Sequence, residues 1–538
     1  TILILYAFFR SFSVIIFSFV VLLIEVVWSL GILVLLGYKI SILTGMLPSL
    51  IVVISIPNSI FIFNRYYFEF ARSRQKGLSL VRTIQGLWTT LLLANVTTAI
   101  GFAVFRFTGS LMLIEFGTVA AISIMATFVL TMMLTPILLS YLPSPTGLRA
   151  VHLKAKRTHA FLNLIVHLVL NKRKMIYWCM AILTLAGLWG ASKIIVTGFV
   201  VDDLPKDHPI SIHMRFFEEK FGGVLPLEIL IENKNGKAIA ANGGALLYKI
   251  QALDKVMSNY PEYSNPLSIP EGIKFLYQHY RGGEPKYHVL PAPQELRKLS
   301  AGLHMNTSDN LLRSFIDSTG QVTRVSYRMK DIGSREMNRQ LEIIRPKIDS
   351  LFPTNQYNVA LTGMSMVFLK NNDYFLSNLM ESLLIEILLI AVVGMILFRS
   401  IRIILFSKVP CLLPLLITAG IMGFAGVVFK SSTILIFTIA FGLASDGTIY
   451  FLTRYRHELK HTKALPQQAI ATTIRETGLS MMYTALILFF GFAIFAASSF
   501  GGTRALGLLV STTLFISMIS NLILLPTILL SIDKRSKK

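Results

Sequence analysis

Long apolar runs separated by short basic segments occupy residues 13–192 and 376–531, and a mixed, polar stretch at 193–374 lies between them. The runs predict helices at 13–37, 40–63, 88–106, 112–142, 175–192, 376–398, 404–428, 432–453, 480–497 and 503–531. Each has about the length needed to cross a hydrocarbon core of about 30 Å. Residues 1–9 read as the end of a further helix that reaches the inner side at Arg10. Within 193–374 the pattern changes. PLEILIENKN (226–235) reads as a strand and turn, 244–260 as a helix, QVTRVSYRMK (321–330) as a strand, 334–349 as a helix and 355–363 as a strand. Strands alternating with amphipathic helices predict a separate α+β domain.

Composition supports this division. The chain of 538 residues is 54% hydrophobic and 15% charged, with a mean hydropathy of +0.63. A soluble chain could not hide so much apolar surface, so the class is polytopic α-helical membrane protein. The net charge of +23 is concentrated in short loops at alternate crossings: Arg65 to Arg82, Arg149 to Arg157, Arg454 to Lys463 and residues 534–538. That is the distribution of the positive-inside rule, which argues against nucleic-acid binding and places the large domain outside and the C-terminus inside. Cys179 and Cys411 lie in apolar runs, with neither metal-ligand spacing nor a disulfide pattern. No secretory signal pattern is visible at the start, TILILYAFFRSF.

The basic linker at 143–174 carries AVHLKAKRTHAFLNLIVHLVLNKRK, read as an amphipathic helix lying on the inner leaflet. Its His152, His159 and His167 read as a wetted face rather than a metal site. The chain also repeats itself. FFRSFSVIIFS (8–18) echoes LFRSIRIILFS (397–407), IGFAVF (100–105) echoes FGFAIF (490–495), and MLTPILLSYL (133–142) echoes LLPTILLSI (524–532), a shift of 389 to 390 residues. Two pseudo-symmetric halves of a transporter are the expectation. The same shift places counterparts of 175–374 ahead of residue 1, so the sequence reads as a fragment lacking about one helix and one external domain. Gly420, Gly423 and Gly426 offer a small-residue face for close helix contact.

Chemistry is concentrated in GLASDGTIYFLTRYRHEL (442–459). Asp446 lies eight residues before Arg454, about 12 Å of helix from the inner boundary. A charge at that depth costs about 2.5–3.5 kcal/mol, and such residues face a bundle interior or a wet cavity. Burial favours the neutral acid, so the site can be neutral in one conformation and ionised in another, as a proton carrier requires. Ser445, Thr448 and Tyr450 could hydrogen-bond Asp446 or extend a water chain; Asn58 and Asn64 are candidate neutral partners. Pro57 should kink its helix and free carbonyls toward a cavity. Glu25, in LLIEVVWSLG, is either another relay partner or a local hydrogen-bonding group. In the external domain, Asp202, Asp203, Asp207 and His208 read as a solvated loop. Neither a nucleophile–base pair, a phosphate-binding glycine loop nor a metal spacing occurs there, so no enzyme activity, cofactor or metal is expected.

The run G-x-x-S-D-G-T-I-x-F-L-x-R-Y-R-x-E-L resembles the fourth or tenth helix of the resistance–nodulation–division (RND) superfamily, in its MMPL and Patched-like branch. VDDLPKDHPISIHMRFFEEKFGGVLPLEI (201–229) resembles the start of that family's second porter domain, and TGMSMVFLKNNDYF (362–375) its end. IEFGTVAAISIMATFVLTMMLTPILL (114–139) resembles the last helix of a half. The resemblance implies a twelve-helix fold with two ferredoxin-like porter domains. Residues 1–142 would hold the end of the second helix to the sixth, 143–174 the linker, 175–192 the seventh, 193–374 the second porter domain, and 375–538 helices eight to twelve. It implies proton-driven export of lipid-like or amphiphilic substrates at a bacterial inner membrane, by a trimer or monomer and with envelope accessory proteins as partners. The family relay is a pair of adjacent acids, or an acid beside a tyrosine. Here the second position is Gly447, and the first half offers Pro57–Asn58. The competing expectation is a non-transporting sterol or lipid sensor with a degenerate relay, which would tolerate Asp446→Asn.

Overall fold

The computed structural model describes residues 12–41, 43–142, 156–199, 204–205, 207–234, 241–296, 315–398, 400–461 and 465–535. The readings on Arg10, His152, Asp202, Asp203, Arg399, Lys463 and the first part of the linker, 143–155, lie outside them. The chain divides into two compact units, residues 1–196 with 375–538, and residues 197–374. In chain order, the elements begin with α1 (Phe12–Leu35), α2 (Leu47–Ser73), α3 (Lys76–Ala103), α4 (Leu111–Tyr141), α5 (Lys156–Asn171) and α6 (Arg173–Ala191). Then come α7 (Pro209–Phe221), β1 (Leu225–Asn233), α8 (Ala241–Met257), α9 (Ile269–Tyr280), β2 (Val322–Met329), α10 (Ser334–Leu351) and β3 (Tyr357–Thr362). Last are α11 (Met364–Phe398), α12 (Ile401–Phe424), α13 (Ser431–His461), α14 (Pro466–Ala493), α15 (Gly501–Ile519) and α16 (Leu525–Arg535).

Among the described residues, 10 helices are long and apolar enough to cross a membrane. Several outrun the apolar stretches that mark them. α3 starts at Lys76 rather than at 88, α14 at Pro466 rather than at 480, and α2 continues to Ser73. Hydropathy finds only the lipid-grade part of a helix, whereas caps find its end. Pro466 opens α14 with its φ already fixed, and Arg74 closes α2 in the left-handed conformation, at φ 56°.

Small residues set the closest helix approach. α6 crosses α12 with Gly187 and Gly190 against Gly420 and Gly423; a Cβ on Gly423 would stand 1.8 Å from the Gly190 carbonyl oxygen. Gly426 is not part of this face: it lies beyond the end of α12 with φ +67° and open space around it. α5 also departs from expectation. Its apolar face, Leu162, Ile165, Val166 and Val169, is buried in one cluster with Ile474, Leu479 and Leu522, so protein rather than lipid covers it. Several contacts recur at the 389–390 residue spacing. Ser123 bonds Ser29 at 3.2 Å and Thr418 bonds Thr513 at 2.7 Å. Gly117 lies on the Phe102 carbonyl and Gly507 on that of Phe492. Arg65 pairs with Glu69 at 2.7 Å and Arg454 with Glu458 at 2.6 Å.

The second unit is an antiparallel three-stranded sheet in the order β2-β1-β3, with Ile229 opposite Val325 on one side and Leu361 on the other. Alternate β1 residues, Leu225, Leu227, Ile229 and Ile231, are buried with Ile250 and Leu253 of α8, Ile273 of α9, and Ile344 and Ile348 of α10. The short helices α7 and α9 escape a periodicity reading because each has Pro in its first turn and few repeats. Under β2, the Tyr327 hydroxyl donates to Asp254 at 2.7 Å, while the second Asp254 oxygen is buried without a partner among the described residues. Burial raises the Asp254 carboxyl to about 6, against a smaller opposing effect of that hydrogen bond. A raised folded-state value means the penalty is absent below about pH 4, grows toward about pH 6 and is complete above it. It amounts to about 2–3 kcal/mol. Asp254→Asn should therefore flatten the loss of β2 and α8 amide protection between pH 4 and 7 in hydrogen exchange of the whole chain. An unchanged pH slope would refute this.

Candidate functional site

Asp446 lies in the middle of α13 and points toward α3. Thr98 Oγ1 donates to its carboxylate at 3.0 Å. Thr97 Oγ1 reaches it at 3.3 Å, but lies 2.9 Å from the Ala94 carbonyl, and one hydroxyl has one proton to give. Thr98 is therefore the committed donor. Among the described residues no cation pairs with Asp446. The carboxylate lines a cavity of ≈ 60 Å³ with Pro57, Asn58, Asn95, Tyr450, Thr484 and Asn521. That is room for about two to four waters, with polar groups to hold them.

The sequence-predicted residues distribute unevenly around this carboxylate. Asn58 reaches the cavity and exchanges hydrogen bonds with Asn95 at 3.0 and 3.3 Å. Ser445 donates to the Phe441 carbonyl of its own helix at 3.0 Å, and Thr448 donates to Asn521 at 2.6 Å; the bond to Asp446 expected of them is made by neither. Glu25 accepts from Ser55 and, at 2.7 Å, from Thr131, and does not line the Asp446 cavity. Gly447, the position where the relay pattern has its second group, faces Asn521: a Cβ there would stand 2.8 Å from Asn521 Nδ2. Asn521 lies in the π turn Ser520–Leu524 between α15 and α16, a local insertion of the kind that recurs at functional sites. Here it aims one amide at the Ala444 carbonyl, 3.3 Å away, and at Thr448.

A second cavity, of ≈ 180 Å³, lies on the basic side of the first and is lined by Asn64, Arg65, Arg454, His457, Glu476 and Ser480. Asn64 donates to Ser480 there at 3.2 Å. Phe61 and Tyr450 line both cavities and stack on each other, ring centroids 3.8 Å apart and planes at 14°. Tyr450 is thus a partition between the two spaces rather than a hydrogen-bond partner of Asp446.

The helices α13 to α15, which carry Asp446 and much of its cavity, fall inside the region that matches the MMPL family, residues 234–537, more than half of the chain. The chain belongs to the MMPL family. It is also similar to the "Putative membrane protein MJ1562" of Methanocaldococcus jannaschii, 22% identical over 337 residues, which is 61% of this chain and 82% of the relative. This MMPL chain is therefore a multi-pass membrane protein.

Sequence reasoning missed Thr97, Thr98, Asn95, Thr484 and Asn521 at the site. Thr97, Thr98 and Asn95 belong to a Thr- and Asn-bearing stretch of α3, LLLANVTTAIG, whose polarity is low enough to pass as ordinary transmembrane sequence. It also passed over Glu386 of α11, an acid inside the apolar run 376–398. Its charge alone was the available signal.

Proposed function

We propose that this MMPL protein is a secondary exporter that uses a proton gradient to move a lipid-like or amphiphilic substrate, with Asp446 as its proton-carrying group. The observation that carries the reading is an acid with no paired cation among the described residues, held by the Thr98 hydroxyl beside a cavity among membrane-spanning helices. Ordered donors fix the carboxylate, and the cavity gives water a place to meet it. The recurring contacts at 389–390 residue spacing favour two pseudo-symmetric halves, and the stacked pair Phe61–Tyr450 occupies equivalent positions in them. We assign residues 197–374 to a porter domain on the outer face of the cytoplasmic membrane, in accordance with the basic loops on the opposite side.

The test is proton flux into proteoliposomes carrying an internal pH dye, driven by a membrane lipid extract. Asp446→Asn keeps the side-chain volume and a hydrogen-bonding oxygen for Thr98 but cannot carry the proton. Flux should be lost in it. Equal flux in mutant and wild type would sink the proposal.

A further inference from the structure

The sequence reduces the relay to one acid; the fold brings a second beside it from another helix. Glu386 is 0% exposed, and neither carboxyl oxygen has a hydrogen-bond partner among the described residues. Its surroundings are built around it by glycine. A Cβ on Gly101 of α3 would stand 2.8 Å from Glu386 Oε1, and one on Gly442 of α13 would stand 3.5 Å from the same atom. The two glycines also touch each other, the Gly101 Cβ position lying 3.3 Å from the Gly442 Cα. Any larger residue at 101 would close the space that the carboxyl fills.

One turn farther along these same two helices are Thr98 and Asp446, bonded to each other. Gly442 and Asp446 are four residues apart, about 6 Å of helix rise. Thr98 Cα itself lies 3.7 Å from the Gly442 Cβ position. The two carboxyls therefore lie in succession along one α3–α13 seam, with the Thr98 hydroxyl beside the gap. Around Glu386 the titratable groups are few. α12 presents Lys408, α13 carries Asp446 one turn beyond Gly442, and the 94–103 stretch of α3 carries no titratable side chain. Lys408 acts on Glu386 without forming an ion pair, its Nζ lying over the Phe441 ring at 5.7 Å. An unpaired carboxylate in apolar surroundings is far costlier than the neutral acid.

We infer that Glu386 is a second proton-binding carboxyl, exchanging its proton with Asp446 along the α3–α13 seam. The exchange moves no other group. The O–H bond of one acid breaks as that of the other forms, through the Thr98 hydroxyl or a water, and total charge is conserved. The inference rests on the relay reading of Asp446. It also makes α11, which carries Glu386, sensitive to the protonation of α13.

Infrared spectroscopy of the full chain in lipid nanodiscs reads this without requiring transport. Glu386→Gln should remove one protonated-carboxyl C=O band that shifts in D₂O, and Asp446→Asn should move the pH midpoint of the remaining Glu386 band. In proteoliposomes, Glu386→Gln should lower proton flux at least tenfold, with partial recovery in Glu386→Asp. If Glu386→Gln does not fold, Gly442→Ala serves instead: its methyl fits at ordinary contact distance from Oε1 and should shift the Glu386 band. No Glu386 band, a band indifferent to both Asp446→Asn and Gly442→Ala, or full flux in Glu386→Gln while Asp446→Asn abolishes it, would overturn this inference and leave the relay standing. Full flux in both acid variants would instead overturn the exporter reading, with the Asp446-dependent band shift still deciding whether Glu386 exchanges protons.

Discussion

Arg454→Ala should destabilise the bundle by about 3–5 kcal/mol, the cost of stripping one partner from a buried ionic group. Arg454 holds Glu458 of its own helix at 2.6 Å and also binds Glu476 of α14, and the three side chains are 16%, 7% and 23% exposed. Removing the guanidinium leaves two carboxylates facing each other without the cation that joins α13 to α14. The equivalent change at Arg65, which is 27% exposed and among the described residues forms one ion pair, with Glu69, should cost less. Unfolding in mixed detergent micelles, titrated with a denaturing detergent, would measure both. Adding Glu476→Gln to Arg454→Ala should restore part of the loss, because one of the stranded charges is then gone. If Arg454→Ala and Arg65→Ala cost the same, the double-carboxylate account of Arg454 is wrong.

Gly423→Ala should be nearly as damaging for a steric reason. The added methyl would stand 1.8 Å from the Gly190 carbonyl oxygen, and backbone cannot swing aside as a side chain can. α6 and α12 must separate, giving up the contacts on both sides of the crossing. Overpacking of this kind costs about 1–3 kcal/mol, and more where the obstacle is rigid. Gly31→Ala in α1 is the matched control, because nothing lies within 4 Å of its Cβ position and alanine is the better helix former. A midpoint for Gly423→Ala no lower than that of Gly31→Ala would mean that the crossing can relax.

The membrane-spanning helices were legible because lipid-grade apolar runs have no other use at that length, and the strands of the second unit because alternation survives in β1 and β2. Helix ends were less so: Pro466 and Arg74 set them through backbone geometry, which hydropathy does not register. At the site, Asp446 was conspicuous as a charge, yet its partners were not. Ser445 and Thr448 are close in sequence, but a helix turns them toward Phe441 and Asn521, whereas Thr98 comes from 348 residues away. Repeat arithmetic also gave no lead to Glu386, whose matching position falls before residue 1, and the family resemblance presented Gly447 as a missing acid. Contact geometry gives Gly447 a steric reason in Asn521.

The doubled contacts have a practical consequence. Ser29–Ser123 and Thr418–Thr513, or Gly117 and Gly507 each seated on a carbonyl, are matching contacts 389–390 residues apart in a single polypeptide. A matched pair of substitutions, one in each copy, perturbs the same local mechanics twice. On the proposed two-half reading, a difference between the two phenotypes larger than the contacts themselves explain, Ser–Ser at 3.2 Å against Thr–Thr at 2.7 Å, reports the work each half performs. The molecule thus contains its own reference sample, and asymmetry of function can be weighed inside it without a second protein.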